Sequence, residues 1–256
     1  MSDLLQVTDL VKIYGRRDAA TRALDGVSLS LAAGEYVGIM GASGSGKTTL
    51  LNCISTIDRP TSGSIQVDGQ ELTKLRGKEL TRFRRERLGF IFQDCNLLDT
   101  LTAFENIALS LSIVGTPAGE IKGRVEEMAS LLGISECLQK YPYQMSGGQQ
   151  QRCAAARAMV TRPALVLADE PTCALDSKAA RMLLERLEVL NRERGATILM
   201  VTHDAFTASC CHRVVFLRDG RIFKELRRGE GEDHRTFFQT IIRVVTQLGG
   251  EMEDVL

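Results

Sequence analysis

The run Gly41, Ala42, Ser43, Gly44, Ser45, Gly46, Lys47 and Thr48 is the densest concentration of chemistry in this 256-residue chain. It fits the pattern GxxxxGK[ST] in the context that pattern requires, after the apolar run Tyr36 to Met40 and before an apolar helical stretch that begins near Thr49. Glycines let backbone amides turn inward around phosphate oxygens, Lys47 can reach β- and γ-phosphates, and Thr48 can offer a hydroxyl to Mg2+. A helix that opens there aims its positive end at the anion. About 120 residues on, the apolar run Ala164 to Ala168 ends in Asp169 and Glu170. Carboxylates that leave the C-terminal edge of a parallel strand emerge where open α/β sheets hold their ligands. Asp169 suits Mg2+ held through water, and Glu170 suits a base that takes a proton from water attacking the γ-phosphate. An acidic pair after an apolar run says little alone, and it is the phosphate loop upstream that gives it meaning.

These groups need a parallel sheet to carry them, and the chain reads as one. Ser177 to Gly195 has Leu183, Leu184, Leu187 and Leu190 on one face and Arg181, Glu185, Arg186 and Arg192 opposite, with Asp176 or Ser177 as N-cap and Gly195 as the stop. Lying between Ala164–Ala168 and the apolar run 196–201, it predicts a βαβ crossover. Val27 to Leu31 alternates with period two, and Ile65 to Val67 runs into Asp68-Gly69, so an antiparallel sheet is expected beside the parallel one. From Asn96 to Val160 strand signals vanish and helices are expected over Thr102–Ile113 and Lys122–Leu132. A second hairpin is expected at Val214–Leu217 and Arg221–Glu225, then a tail with Phe237, Phe238, Ile241, Val244, Val245 and Leu248 near one helical face. The expected division is 1–95 for the first part of the core with its β subdomain, 96–160 for a helical insertion, 161–227 for the rest of the core and 228–256 for the tail.

Composition narrows the class. Lys and Arg number 32 against 32 Asp and Glu, so no global field recruits nucleic acid or an anionic membrane. The longest uncharged stretch is the 14 residues from Asn106 to Gly119, shorter than the roughly 18 a membrane span needs. Near the N-terminus Asp3 stands where a secretion signal has basic residues, and Gln6, Thr8 and Asp9 break the apolar run, so a cytosolic chain is expected. Seven scattered cysteines without zinc spacing read as reduced, space-filling thiols.

The segment Met145-Ser146-Gly147-Gly148-Gln149-Gln150-Gln151-Arg152 narrows the field further. Ser146 can cap a helix there, and Gly147 and Gly148 have no Cβ to keep an anion away. With this segment the chain resembles the ABC transporter ATPases, whose motif is usually LSGGQ, here with Met145 for Leu. The resemblance implies an α/β P-loop NTPase core with an antiparallel β subdomain and a helical insertion, ATP and Mg2+ as cofactors, and a head-to-tail dimer in which Ser146, Gly147, Gly148 and Gln149 close over ATP bound by the second copy. It also implies that Gln93 senses Mg2+, that His203 bonds the γ-phosphate, that Asp176 in Ala174-Leu175-Asp176 reaches the nucleotide interface, and that Tyr14 lies against adenine. One departure stands out: this branch commonly reads DEPTGALDS, and this chain has Cys173 for the glycine. If that position needed positive φ, the cysteine would be strained by about 1–2 kcal/mol.

Within the family, Phe92 to Asn106 resembles the branch of macrolide exporters and lipoprotein-release ATPases. Gly89–Asn106, residues 196–220 and Thr236–Gln239 resemble the bacitracin-export type more closely. Such a resemblance implies an FtsX-like permease served by two copies at the cytoplasmic face of the plasma membrane, a histidine kinase in the same complex, and antimicrobial-peptide resistance and sensing. The loop after Gln93 with Leu101–Ile113, carrying Leu97, Leu98, Leu101 and Phe104, is the expected permease dock. A DNA-maintenance ATPase would insert a long coiled coil, whereas the 99 positions from Lys47 to Ser146 hold no sustained heptads. A translation-factor ATPase usually carries two cassettes, and here there is one. The basic run from Lys74 to Arg87 reads as a solvated helix face that could also meet phosphate or an acidic permease surface.

Overall fold

Strand β3 (Tyr36–Met40) is buried along its whole length, and its side chains divide by parity between two cores. Tyr36 and Met40 join one, Val37 and Ile39 the other. The same division repeats in β7 (Leu165–Asp169), β8 (Ile198–Val201) and β9 (Arg213–Arg218), where Val166, Met200 and Phe216 face one core and Leu167, Leu199 and Val215 the other. A sheet apolar on both faces must be covered on both, the condition of a parallel α/β core. The structure is a computed structural model that describes residues 3–15 and 20–253; the last three residues of the expected tail lie outside them.

The central sheet has the order β10-β9-β3-β8-β7-β6, where β6 is Leu88–Ile91 and β10 is Arg221–Arg227. Every neighbouring pair from β9 to β6 is parallel, and β10 is the antiparallel return of the expected hairpin. A second, antiparallel sheet of order β2-β1-β4-β5 is built from β1 (Asp3–Tyr14), β2 (Thr21–Ala32), β4 (Ser62–Val67) and β5 (Gln70–Glu71). With α1 (Lys47–Ile54) it contributes Leu5, Leu31, Leu50 and Ile65 to one core.

The other core is covered by helices: α3 (Ala103–Ile113), α4 (Ala118–Leu131), α5 (Gly147–Met159), α6 (Ser177–Arg194) and α8 (His234–Glu253), with the short α7 (Ala205–Ser209) against α8. The basic helix α2 (Gly77–Arg87) buries Phe83 and leads into β6. Helix α6 starts at Asp176, whose carboxylate accepts from the amides of Lys178 and Ala179, and stops at Gly195 with φ 64°. Helix α4 begins four residues before the expected Lys122, at Ala118, because Pro117 opens it and Glu120 suits its first turn. On α8, Phe237, Ile241 and Val244 are buried and Phe238 and Leu248 pack beside them, but Val245 faces solvent. Seven residues from Phe238, Val245 falls beyond the edge of the buried stripe.

Candidate active site

Four parallel strands deliver their chemistry to one edge. Gly41 follows β3 directly, Asp169 ends β7, and Gln93 and His203 stand two residues past β6 and β8. Sequence patterning extends the strands as far as Gln93; in the structure β6 stops at Ile91, so Gln93 is on the loop, exposed and free to turn toward a ligand. A cavity of about 530 Å³ is lined by Ser43, Gly44, Gly46, Lys47, Thr48, Thr49, Ala23, Gln93, Glu170 and His203.

Gly44 and Gly46 have φ of 80° and 104°, which turn the loop into a cradle open to an anion. A Cβ on Gly41 would strike the Leu217 carbonyl and lie 2.5 Å from the Ser45 hydroxyl, so the strand-to-loop turn has no room for one. Gly46 is the N-cap of α1, whose first amides point into the cavity. Lys47 is buried and donates from Nζ to the carbonyls of Gly41 at 2.8 Å and Ala42 at 2.9 Å. Burial lowers its pKa, and the negative charges of Glu170 and Asp169 oppose that shift.

Burial raises the pKa of Asp169, the charge of Glu170 raises it further, and Lys47 and the Thr48 hydroxyl pull it down. Its Oδ1 is buried and has no protein partner. The orphaned Asp169 oxygen, the Thr48 hydroxyl that bonds the same carboxylate, and the Gln93 amide lining one cavity with Thr48 are hard oxygen donors, a set that fits Mg2+. Among the described residues no three His, Cys, Asp or Glu side chains form a metal cluster. Glu170 has φ 46°, and its backbone N–H donates a hydrogen bond to the Val201 carbonyl at 2.9 Å. Its Oε1 lies 2.9 Å from Nδ1 of His203, and its Oε2 accepts from the His203 amide at 3.3 Å.

Other expected residues lie elsewhere. Ser146 accepts from the Gln149 amide at 3.3 Å while the Gln149 side chain accepts from the Ser146 amide at 2.9 Å, a capping box that spends both side chains on starting α5. Gly147 is exposed with open space around it, but a Cβ on Gly148 would lie 2.7 Å from Cβ of Ala179. The absence of a side chain at Gly148 therefore serves packing of α5 on α6 as well. None of Ser146 to Gln149 lines the phosphate-loop cavity. Asp176 is committed to capping α6. Tyr14 is 41% exposed, donates its hydroxyl to Asp58 at 2.7 Å and has Lys12 Nζ 4.7 Å from its ring centroid. Cys173 is exposed and does not have positive φ; that strain falls on Glu170 instead.

Three residues that hold the Gln93 loop escaped sequence reading. Buried Asn106 donates to the carbonyls of Leu98, Leu101 and Thr102 and accepts from the Leu98 amide at 2.8 Å. Gln151 donates to the Phe92 carbonyl at 2.8 Å and accepts from the Cys95 thiol, while Arg157 donates to the Cys95 and Asn96 carbonyls. Gln151 and Arg157 lie on α5, so the helix that starts at Ser146 also grips the loop after Gln93. The only sequence signal was polar side chains on otherwise apolar helix faces.

The family model described as ABC transporter matches residues 24–173. The chain is 49% identical over 251 residues to the bacitracin export ATP-binding protein BceA of Halalkalibacterium halodurans, covering 98% of this chain and 99% of that protein. It is 46% identical to the ABC transporter ATP-binding protein YxdL of Bacillus subtilis, covering 100% of this chain and 98% of that one. The dimeric, post-hydrolysis ATP-binding cassette MJ0796, bound to ADP and Pi, superposes with a TM-score of 0.80 at 39% identity, covering 88% of this chain and 100% of that structure. No described helix is long and apolar enough to cross a membrane. The chain is an ABC transporter ATP-binding protein, an α/β ATPase cassette that hydrolyses ATP.

Proposed function

We propose that this chain powers an FtsX-like permease in resistance to, and sensing of, bacitracin-like antimicrobial peptides, from the cytoplasmic face of the plasma membrane and with a sensor histidine kinase reached through that permease. The observation that carries this is the end-to-end similarity to the bacitracin export ATP-binding protein, tail included, at 49% identity.

In this proposal the amides of Gly44 to Thr48 and the Lys47 ammonium bind the β- and γ-phosphates. Lys47 releases the Gly41 and Ala42 carbonyls to do so. Thr48, Asp169 and Gln93 hold Mg2+, which when bound neutralises charge on the phosphate oxygens. Glu170 accepts the proton of the attacking water as its oxygen bonds to the γ-phosphorus and the bond to the ADP oxygen breaks. His203 holds the Glu170 carboxylate from one side, leaving lone pairs for the water. Tyr14 packs against the adenine. Ser146, Gly147, Gly148 and Gln149 of a second copy cover the γ-phosphate, and the Asp176 turn lines the shared interface.

For the permease dock, a groove of about 510 Å³ lies between α2, β6, α3 and α5. Phe90 and Phe92 stack there at 4.1 Å, with Ile113 on one wall and Arg84, Arg85 and Arg157 around them. Leu97 and Phe104 pack into the core and Leu101 is half-buried, so the apolar docking side chains are Leu98 and Ile113, 46% and 52% exposed. A permease segment with apolar and acidic residues matches such a groove.

The test is co-expression with the permease encoded beside this gene, in a strain lacking its own bacitracin resistance. Bacitracin tolerance should rise at least about tenfold, and Ile113→Asp should abolish co-purification with the permease while ATP binding is kept. ATP hydrolysis without any gain in tolerance would overturn the peptide assignment and leave the ATPase standing.

A further inference from the structure

The seam between the helical layer and the sheet holds a cavity of about 260 Å³, far from the phosphate loop and lined by none of its residues. Its floor is apolar: Met128 and Leu131 from α4, Met159 from α5, Val166 from β7 and Leu190 from α6. Its rim is cationic. Arg124, Arg162 and Arg194 stand there with one carboxylate, Glu127, which ion-pairs with Arg162 at 3.8 Å and with Arg194. Arg124 donates to the Val160 carbonyl at 2.9 Å, a neutral partner that leaves its charge uncompensated.

Two guanidiniums that share one carboxylate keep donors and net positive charge for a further anion, and guanidinium prefers planar, bidentate carboxylates. An apolar cavity of roughly 150 Å³ already holds a benzene ring, so this one has room for a ring or a short chain below a charged head. We propose that the seam cavity binds a small amphipathic carboxylate, an apolar body of about six to eight carbons with its head group on Arg162 and Arg194. Such a ligand touches α4 and α5 on one side and β7 and α6 on the other, and so ties the helical layer to the sheet.

The test titrates the full-length chain, without nucleotide, with octanoate, octanol and octylamine, followed by ligand-observed NMR. Octanoate should bind with a Kd below about 1 mM, at least about tenfold tighter than octanol, and octylamine should not bind. Met128→Trp and Leu131→Trp each fill the cavity from its floor, and each should weaken octanoate at least about tenfold with ATP binding kept; two variants guard against misfolding of one. Arg194→Glu should reverse the preference toward octylamine. No octanoate binding, binding equal to that of octanol, or binding unchanged in both tryptophan variants would each overturn the proposal.

Discussion

Two helices in this molecule begin with small residues and exposed amides, and they are in opposite situations. At α1 the amides face a cavity that also receives Glu170, His203 and Gln93, and a buried lysine stands ready inside it. At α5 the start is equally well formed, with a complete capping box and open space at Gly147, yet no residue of Ser146–Gln149 lines that cavity. A helix N-terminus is a ready anion site, and only the first of these two opens onto the phosphate-loop cavity. The contrast is the one the proposed head-to-tail dimer requires, a second helix start left to meet ATP held by another copy, and the cassette MJ0796 that this chain resembles is dimeric.

The largest effect should come from Glu170→Gln, which keeps shape and removes the base. Turnover should fall by roughly 10²–10⁴-fold while ATP still binds and now holds a dimer, seen by size-exclusion chromatography. Wild-type turnover in that variant would break the assignment. At the other helix the two glycines separate the two roles. Gly147→Asp, in open space, should leave folding and monomer ATP binding unchanged while dimerisation is lost and turnover falls at least about tenfold through charge repulsion at the γ-phosphate. Gly148→Ala should instead cost stability, about 1–3 kcal/mol of overpacking against Ala179 less about 1 kcal/mol of helix propensity, read by urea unfolding.

The buried carboxylate gives a smaller effect with a definite sign. The pKa of Asp169 is raised in the folded chain, so its charged form costs stability at neutral pH, and that cost disappears as pH falls below the unfolded value of about 3.9. Asp169→Asn should therefore raise the Tm of the nucleotide-free protein at pH 7, with the gain shrinking toward pH 4, while ATP hydrolysis is lost. A Tm gain that grew on acidification would refute the burial account. The smallest effect concerns Cys173, the exposed cysteine among thiols that are otherwise buried or, for Cys95, half-buried with the pKa pushed up to about 11. Maleimide should inactivate the wild type, ATP should protect it, and Cys173→Gly should be spared; equal inactivation of the two would exclude this site.

The reactive edge was legible because its chemistry is written locally. A phosphate loop must be contiguous, and an acidic pair after an apolar run announces its own strand, so Gly41–Thr48, Asp169 and Glu170 converge as their spacing implies. The caps at Asp176 and Ser146 were legible for the same reason, since a cap is a bond across two or three residues. What escaped is non-local. Gly148 is explained by Ala179, and the Gln93 loop by Asn106, Gln151 and Arg157. Each of these requires knowing which helix faces which loop, and no single stretch of sequence carries that information. Val245 and the early start of α4 mark another limit: amphipathic periodicity gives a direction for a helix but not the width of the face that its neighbours cover.

The two carbonyls that hold Lys47 turn recognition into an exchange equilibrium. Two of the three ammonium donors are held there, so an incoming ligand gains most from the lysine when it offers oxygens that displace those of Gly41 and Ala42. Doubly charged terminal phosphates can do this and neutral nucleosides cannot, so the lysine should favour polyphosphate over an uncharged base and sugar. Pyrophosphate alone should compete for the site, whereas adenosine, at the same concentration, should leave the lysine where it is.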